Sequence, residues 1–194
     1  MSSIPPVTLC LILANGVAFF LQSIVGDDVI GPLALWPLGE NFLPWQVITY
    51  AFLHGNFTHL LFNMFGVYMF GSDIERVWGS KRYLTYYIVC VLSAAATQLI
   101  VSTVTGSIYP TIGASGGVFG LLLAFAMLFP RRMVVPLIPP IPMRAPIFVA
   151  IYGVLELVLG VTGSQAGVAH FAHLGGMAGG YLMMKLGGRV RRSN

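Results

Sequence analysis

The sequence predicts an all-α membrane protein that crosses the bilayer six times. Three observations carry this. Hydrophobic residues make up 57% of the 194 residues and charged residues 8%, whereas a soluble domain carries about 25% charged residues. The apolar residues fall in runs long enough to span a bilayer. The basic residues fall only in alternate connections between those runs. Together these exclude a water-soluble globule, and the apolar content excludes a disordered chain.

A spanning helix needs about 20 apolar residues. Residues 1–26 carry no charge, which places a first span at 7–25, read as a retained anchor because it lacks the basic flank of a signal peptide. Residues 27–55 mix Asp27, Asp28, Glu40, Gly and Pro and form an outer loop. The apolar stretch Leu60–Gly71 puts a second span at 56–75. Residues 83–130 are uncharged and long enough for two spans. The Gly, Pro and hydroxyl residues of Ser102–Gly113 split them, giving spans at 82–101 and 115–130. Residues 145–184 carry one charge, Glu156. Thr162–Gly167 splits this run into spans at 145–161 and 168–186, before a basic tail at 187–194.

All ten basic residues then lie in the 2–3 loop (Arg76, Lys81, Arg82), the 4–5 loop (Arg131, Arg132, Arg144) or at the C-terminal end (Lys185, Arg189, Arg191, Arg192). Cytoplasmic loops attract Lys and Arg, so both termini are expected in the cytoplasm. The net charge of +4 is too diffuse for nucleic acid, which needs a dense basic patch. Cys10 and Cys90 sit in apolar runs as small hydrophobes and form no disulfide framework.

Polar groups inside a bilayer mark function. The second span opens with His54, His59 and Asn63, the last two sharing a helix face at four-residue spacing. Gly113 and Ser115 open the fourth span, and His170 and His173 open the sixth. All three spans run inward, so Ser115, His59, Asn63 and His173 share a layer within ~10 Å of the outer surface at 1.5 Å per residue. Singly, each has an ordinary explanation: a helix cap for Ser115, a satisfied bundle residue for each histidine. A hydroxyl, an imidazole and further donors at one depth are the parts of an acyl-transfer site. Gly116 with Gly120, and Gly176 with Gly180, are spaced for close helix approach and would bring the fourth and sixth spans together. Metal pairs (His54 with His59, His170 with His173) are not expected, because no HExxH is present and no carboxylate is placed beside them. No cofactor is expected.

His54-xxxx-His59-xxx-Asn63, Gly113-x-Ser115-Gly116 and Ala172-His173-xx-Gly176-xxx-Gly180, in this order on spans two, four and six, resemble the rhomboid family of intramembrane serine proteases, in its minimal six-span bacterial form. The resemblance implies Ser115 as nucleophile, His173 as general base, and His59 and Asn63 as oxyanion donors with the Ser115 backbone N–H. It also implies support of the site by His54 and His170, and a structural role for Glu75. Two departures stand out. Trp45-Gln46 replaces a frequent Trp-Arg, and Phe119 replaces a tyrosine that stacks on the imidazole. With no Asp or Glu in the outer layer, a Ser–His dyad is expected, and Glu156 is read as structural.

A lid at Gly163–Gly167, a side gate at the fifth span and transmembrane proteins as substrates complete the reading. The expected setting is the bacterial cell membrane, with the site toward the outer side; oligomeric state is not legible. Two other classes compete: a small channel or transporter relying on Glu156, and a catalytically silent helix-binding relative.

Overall fold

The computed structural model describes residues 3–136, 139–163 and 169–187. Its first long helix, α1 (Pro6–Val25), begins with a proline at the first helical position, where the missing N–H costs nothing. The next free N–H groups are capped from afar. Glu75 accepts from Val7 N at 3.0 Å, Thr8 N at 2.7 Å and Thr8 Oγ1 at 2.8 Å, and Ser80 Oγ donates to it at 2.7 Å. A carboxylate at a helix N-terminus complements the helix dipole, so Glu75 binds α1 to the chain that follows the second expected span.

The expected outer loop is partly helical, holding α2 (Asp27–Leu33), α3 (Gln46–Thr49) and a 3-10 turn at Tyr50–Phe52. Gln46 is fully buried and pins this segment. Its Oε1 accepts from Trp36 N at 3.2 Å, and its Nε2 donates to Asn41 O at 3.0 Å and Pro32 O at 3.4 Å. A neutral amide with both kinds of hydrogen-bonding group thus serves where an arginine is frequent.

Residues 56–75 were expected to form one span. Helix runs there without interruption through α4 (Phe57–Gly66), a π-helical turn at Val67–Gly71 and α5 (Ser72–Trp78). The Asn56 side chain caps α4 by accepting from His59 N at 2.8 Å. Helix α6 (Ser80–Thr105) overruns the expected limit at residue 101. Thr103 and Thr105 donate their hydroxyls to carbonyls four residues back, at 2.8 Å each. Hydroxyl residues that satisfy themselves in this way need not break a helix, and α6 ends only at Gly106, where φ is 68°.

Helix α7 (Ser115–Leu128) stops short of residue 130 because Pro130 drives Phe129 out of helical conformation. A short hairpin, β1 (Met133–Val134) with β2 (Met143–Arg144), follows with Met133 opposite Arg144. Then come α8 (Ala145–Thr162) and α9 (His170–Leu186). By length and composition α1, α6 and α8 can each cross a membrane, and α7 is a shorter apolar helix.

Helix α9 packs most extensively on α6 and then on α7. At the α7–α9 crossing a Cβ on Gly176 would collide with the Gly116 carbonyl, and one on Gly120 would stand 3.2 Å from Gly176 O as well as against Cys90. Gly180 faces Tyr86 and Cys90 of α6 in the same way. Backbones this close need glycine. Helix α8 is different: its buried residues are Ala145, Phe148 and Val149, all near its start. Its later part exposes Val154, Leu155, Leu157, Val158 and Val161, and an apolar cleft of about 760 Å³ lies between α8 and the α7–α9 pair.

Charges gather at the end of the bundle remote from Ser115. Asp73 accepts from Arg76 and Arg132 at 3.1 Å each, and Arg76 also donates to Ser3 O at 3.2 Å.

Candidate active site

Ser115 is the first residue of α7, so the N–H groups of its first turn have no partner within the helix. The approach to it is fastened to the outer loop. Leu35 and Thr111 exchange backbone hydrogen bonds of 3.0 and 2.8 Å, and Gly113 N donates to Tyr50 O at 2.9 Å. Gly113 holds φ at 125°, a region other residues avoid. A Cβ there would also stand 2.8 Å from His59 Nε2 and 3.7 Å from Ser115 Oγ. The glycine therefore keeps open the space between the serine and His59.

His173, in the first turn of α9, is buried. Its Nε2 lies 2.7 Å from Ser115 Oγ, a hydrogen-bond separation. The glycine contact between α7 and α9 lies just beyond this pair and sets how near the two helices come. Phe119, one turn after Ser115, stacks on His173 with centroids 4.4 Å apart and planes 5° from parallel. The ring alone provides this stack, without a tyrosine hydroxyl.

His59 Nδ1 accepts from Gly55 N at 3.4 Å. A neutral imidazole carries one N–H, which then sits on Nε2, the nitrogen beside Gly113. Asn63 donates one amide N–H to His59 O at 2.9 Å and keeps a second. His54 is held from α1: Gln22 Oε1 accepts from His54 N at 3.0 Å, and Gln22 Nε2 donates to His54 O at 3.3 Å. The His54 ring meets His59 edge-on at 4.9 Å, and neither ring nitrogen finds a partner among the described residues. Burial, and then the neighbouring His59, hold its pKa down to about 4, so the ring is neutral.

One expectation is corrected. A carboxylate does share this layer: Glu156 Oε2 stands 2.7 Å from His170 Nδ1 and 2.8 Å from His173 Nδ1. The first is a well-directed hydrogen bond. The second is a close contact that misses hydrogen-bond alignment. The signal was present in the sequence. Glu156 is six residues from the end of α8 at Thr162, so at 1.5 Å per residue it lies only ~9 Å from the Ser115 end of the bundle.

Glu156, His170 and His173 present three ligand atoms within 4.8 Å of one another, so the premise that no carboxylate stands beside this histidine pair also fails. Their contacts have the length of hydrogen bonds. Zinc bonds of about 2.0–2.2 Å would set tetrahedral ligands roughly 3.4 Å apart, wider than the two Glu156–histidine contacts as they stand. The lid expected at Gly163–Gly167 falls, from residue 164 on, outside the described residues.

Residues 41–190 match the family model described as Rhomboid domain. Among curated proteins, the chain is 28% identical over 91% of its length to the rhomboid protease GluP of Bacillus subtilis (strain 168), covering 34% of that protein. It is 27% identical over 97% of its length to the rhomboid protease GlpG of Serratia proteamaculans (strain 568), covering 65% of it. It is also 32% identical over 72% of its length to the putative rhomboid protease YdcA of Bacillus subtilis (strain 168), covering 65% of it. The chain thus spans between about a third and two thirds of the length of these relatives. With most of its residues inside the matched domain and helices apolar enough to cross a bilayer, the chain is an integral membrane protein and belongs to the rhomboid family.

Proposed function

We propose that this protein is an intramembrane serine endopeptidase that cleaves transmembrane segments of other membrane proteins near the outer face of the bilayer. The observation that carries the proposal is the 2.7 Å approach of Ser115 Oγ to His173 Nε2 at the start of an apolar helix. The chain crosses the bilayer six times, through α1, the α4–α5 run, α6, α7, α8 and α9. Both termini are cytoplasmic, by the distribution of Lys and Arg, and the setting is a bacterial cell membrane.

The chemistry follows from the site. A serine hydroxyl is a weak nucleophile until a base takes its proton. His173 Nε2 takes it as Oγ attacks the peptide carbonyl. The developing oxyanion is met by the free N–H groups at the start of α7, the His59 Nε2–H and the spare Asn63 N–H. Each such donor is worth roughly 3–4 kcal/mol in the transition state. His173 then protonates the leaving amine, and water releases the acyl group. The apolar cleft between α8 and the α7–α9 pair supports α8 as the side gate through which a substrate helix enters. The substrate must unwind there, because helical carbonyls are already hydrogen-bonded. No cofactor or nucleic acid takes part.

Glu156 is engaged with two histidines, which removes the main support for a channel. The test is mass spectrometry of a model transmembrane substrate after incubation with the protein in liposomes. Cleavage at one bond near the outer face is expected, with loss of activity by at least ~10³-fold in Ser115→Ala. Equal cleavage by Ser115→Ala would refute the proposal.

A further inference from the structure

We propose that Glu156 is a positioning residue for this reaction. Its carboxylate holds His173 in the tautomer and orientation that accept the Ser115 proton, so the working unit is Ser115–His173–Glu156 and not a bare pair. The inference rests on the protease reading above and adds a residue to it.

A neutral imidazole has one N–H. If Nε2 is to accept from Ser115, the proton must sit on Nδ1. The His173 Nδ1 is buried without a well-aligned hydrogen bond, and Glu156 Oε2 stands 2.8 Å from it. A small rotation of ring or carboxylate aligns the two. The carboxylate is itself held by His170 Nδ1 at 2.7 Å. His170 and His173 are three residues apart on α9 and so share a face, which lets one oxygen meet both rings.

A structural pin on α8 would be satisfied by His170 alone, yet the same oxygen also stands against the proposed base. Glu156 lies between the exposed apolar residues Leu155 and Leu157, in a helix where a carboxylate is costly, and yet it is aimed at the nitrogen of His173 that faces away from Ser115. During attack the Oγ–C bond forms and the Oγ proton moves to Nε2. The resulting imidazolium keeps its Nδ1–H toward the carboxylate. When the C–N bond breaks, the Nε2 proton leaves with the amine. Glu156 stays ionised throughout and takes no proton.

The test measures kcat and KM on a transmembrane substrate, together with the second-order rate at which a small fluorophosphonate labels Ser115. Glu156→Gln keeps the shape and removes the charge. It should lower kcat about 10²-fold, leave KM within about threefold and slow labelling in parallel, less than the ~10⁴-fold seen when a triad acid becomes an amide, because the contact here is off-axis. Glu156→Asp, which keeps the charge but draws it back, should retain more activity than Glu156→Gln. It also serves should the glutamine variant fail to fold, slowed labelling again being expected. Labelling at the wild-type rate in a folded variant, even with substrate cleavage altered, would overturn the inference, because a gate or packing role spares a small probe. Ser115→Ala separates the two claims. If it abolishes cleavage while Glu156→Gln labels normally, only the role of Glu156 falls.

Discussion

Helices α8 and α9 flank the same site and are held in opposite ways. Helix α9 meets α7 through glycine, backbone against backbone, with no room for a methyl group at Gly176, and sets Gly175, Gly179 and Gly180 tightly against side chains of α6. Helix α8 buries side chains only near its start and touches α9 again at Glu156 and Gly160; beside Gly153, between these two points, the nearest atoms to an added Cβ belong to Met177, at 3.5 Å. The proposed nucleophile and base thus sit on a tightly joined wall, and the helix beside them is joined to it more sparsely, through side chains. Reacting atoms must be held within a fraction of an ångström, whereas substrate entry needs a side that yields. On the proposed reading, one site combines both by using two kinds of contact.

The same substitution in the two helices should give opposite results. Gly176→Ala drives a methyl group into the Gly116 backbone. It should lower stability by about 1–3 kcal/mol or more and cut both fluorophosphonate labelling and cleavage at least tenfold, read by thermal unfolding and by kinetics. Wild-type labelling would show that the α7–α9 contact does not set the Ser115–His173 distance.

Gly153→Ala fits the space available. It should stabilise α8 by about 0.5–1 kcal/mol through helix propensity and add a contact to Met177. If α8 is the gate, cleavage of a transmembrane substrate should slow a few-fold while labelling by the small probe stays unchanged. An unchanged cleavage rate would argue that entry lies elsewhere.

The smallest effect concerns His54, on the side of the site away from α8. Its folded-state pKa, about 4, lies below the usual value near 6.5. The neutral form is favoured on folding, so its stabilising contribution is complete above about pH 6.5 and is lost as pH falls toward 4. The melting temperature should therefore decline across that window, and the decline should be shallower in His54→Phe. An equally steep decline in the variant would assign it to other groups.

Much of this was legible in the residues. A scarcity of charge, apolar runs of bilayer length and the placement of basic residues lead to a helical membrane protein. Ser115, His59 and His173 were singled out because polar groups at one depth in an apolar chain are improbable without a use. The residues misread were those whose behaviour depends on a partner distant in sequence. Thr103 and Thr105 looked like breakers, yet they bond within the helix. Gln46 looked like a loss of the usual arginine contact, yet the fold supplies three backbone partners for its amide. Glu156 was read as structural and outside the outer layer, yet the fold brings it to His170 and His173, 14 and 17 residues further along the chain.

Composition and apolar run length by themselves determined that the chain is a helical membrane protein and which polar side chains the lipid would not tolerate, because each of these is a local cost paid residue by residue. Tertiary structure alone decided that the Gln46 amide finds three backbone partners, and that Glu156 reaches two imidazoles from a neighbouring helix. Such contacts depend on how helices cross and rotate, and that is set by packing over the whole bundle and not by any one segment.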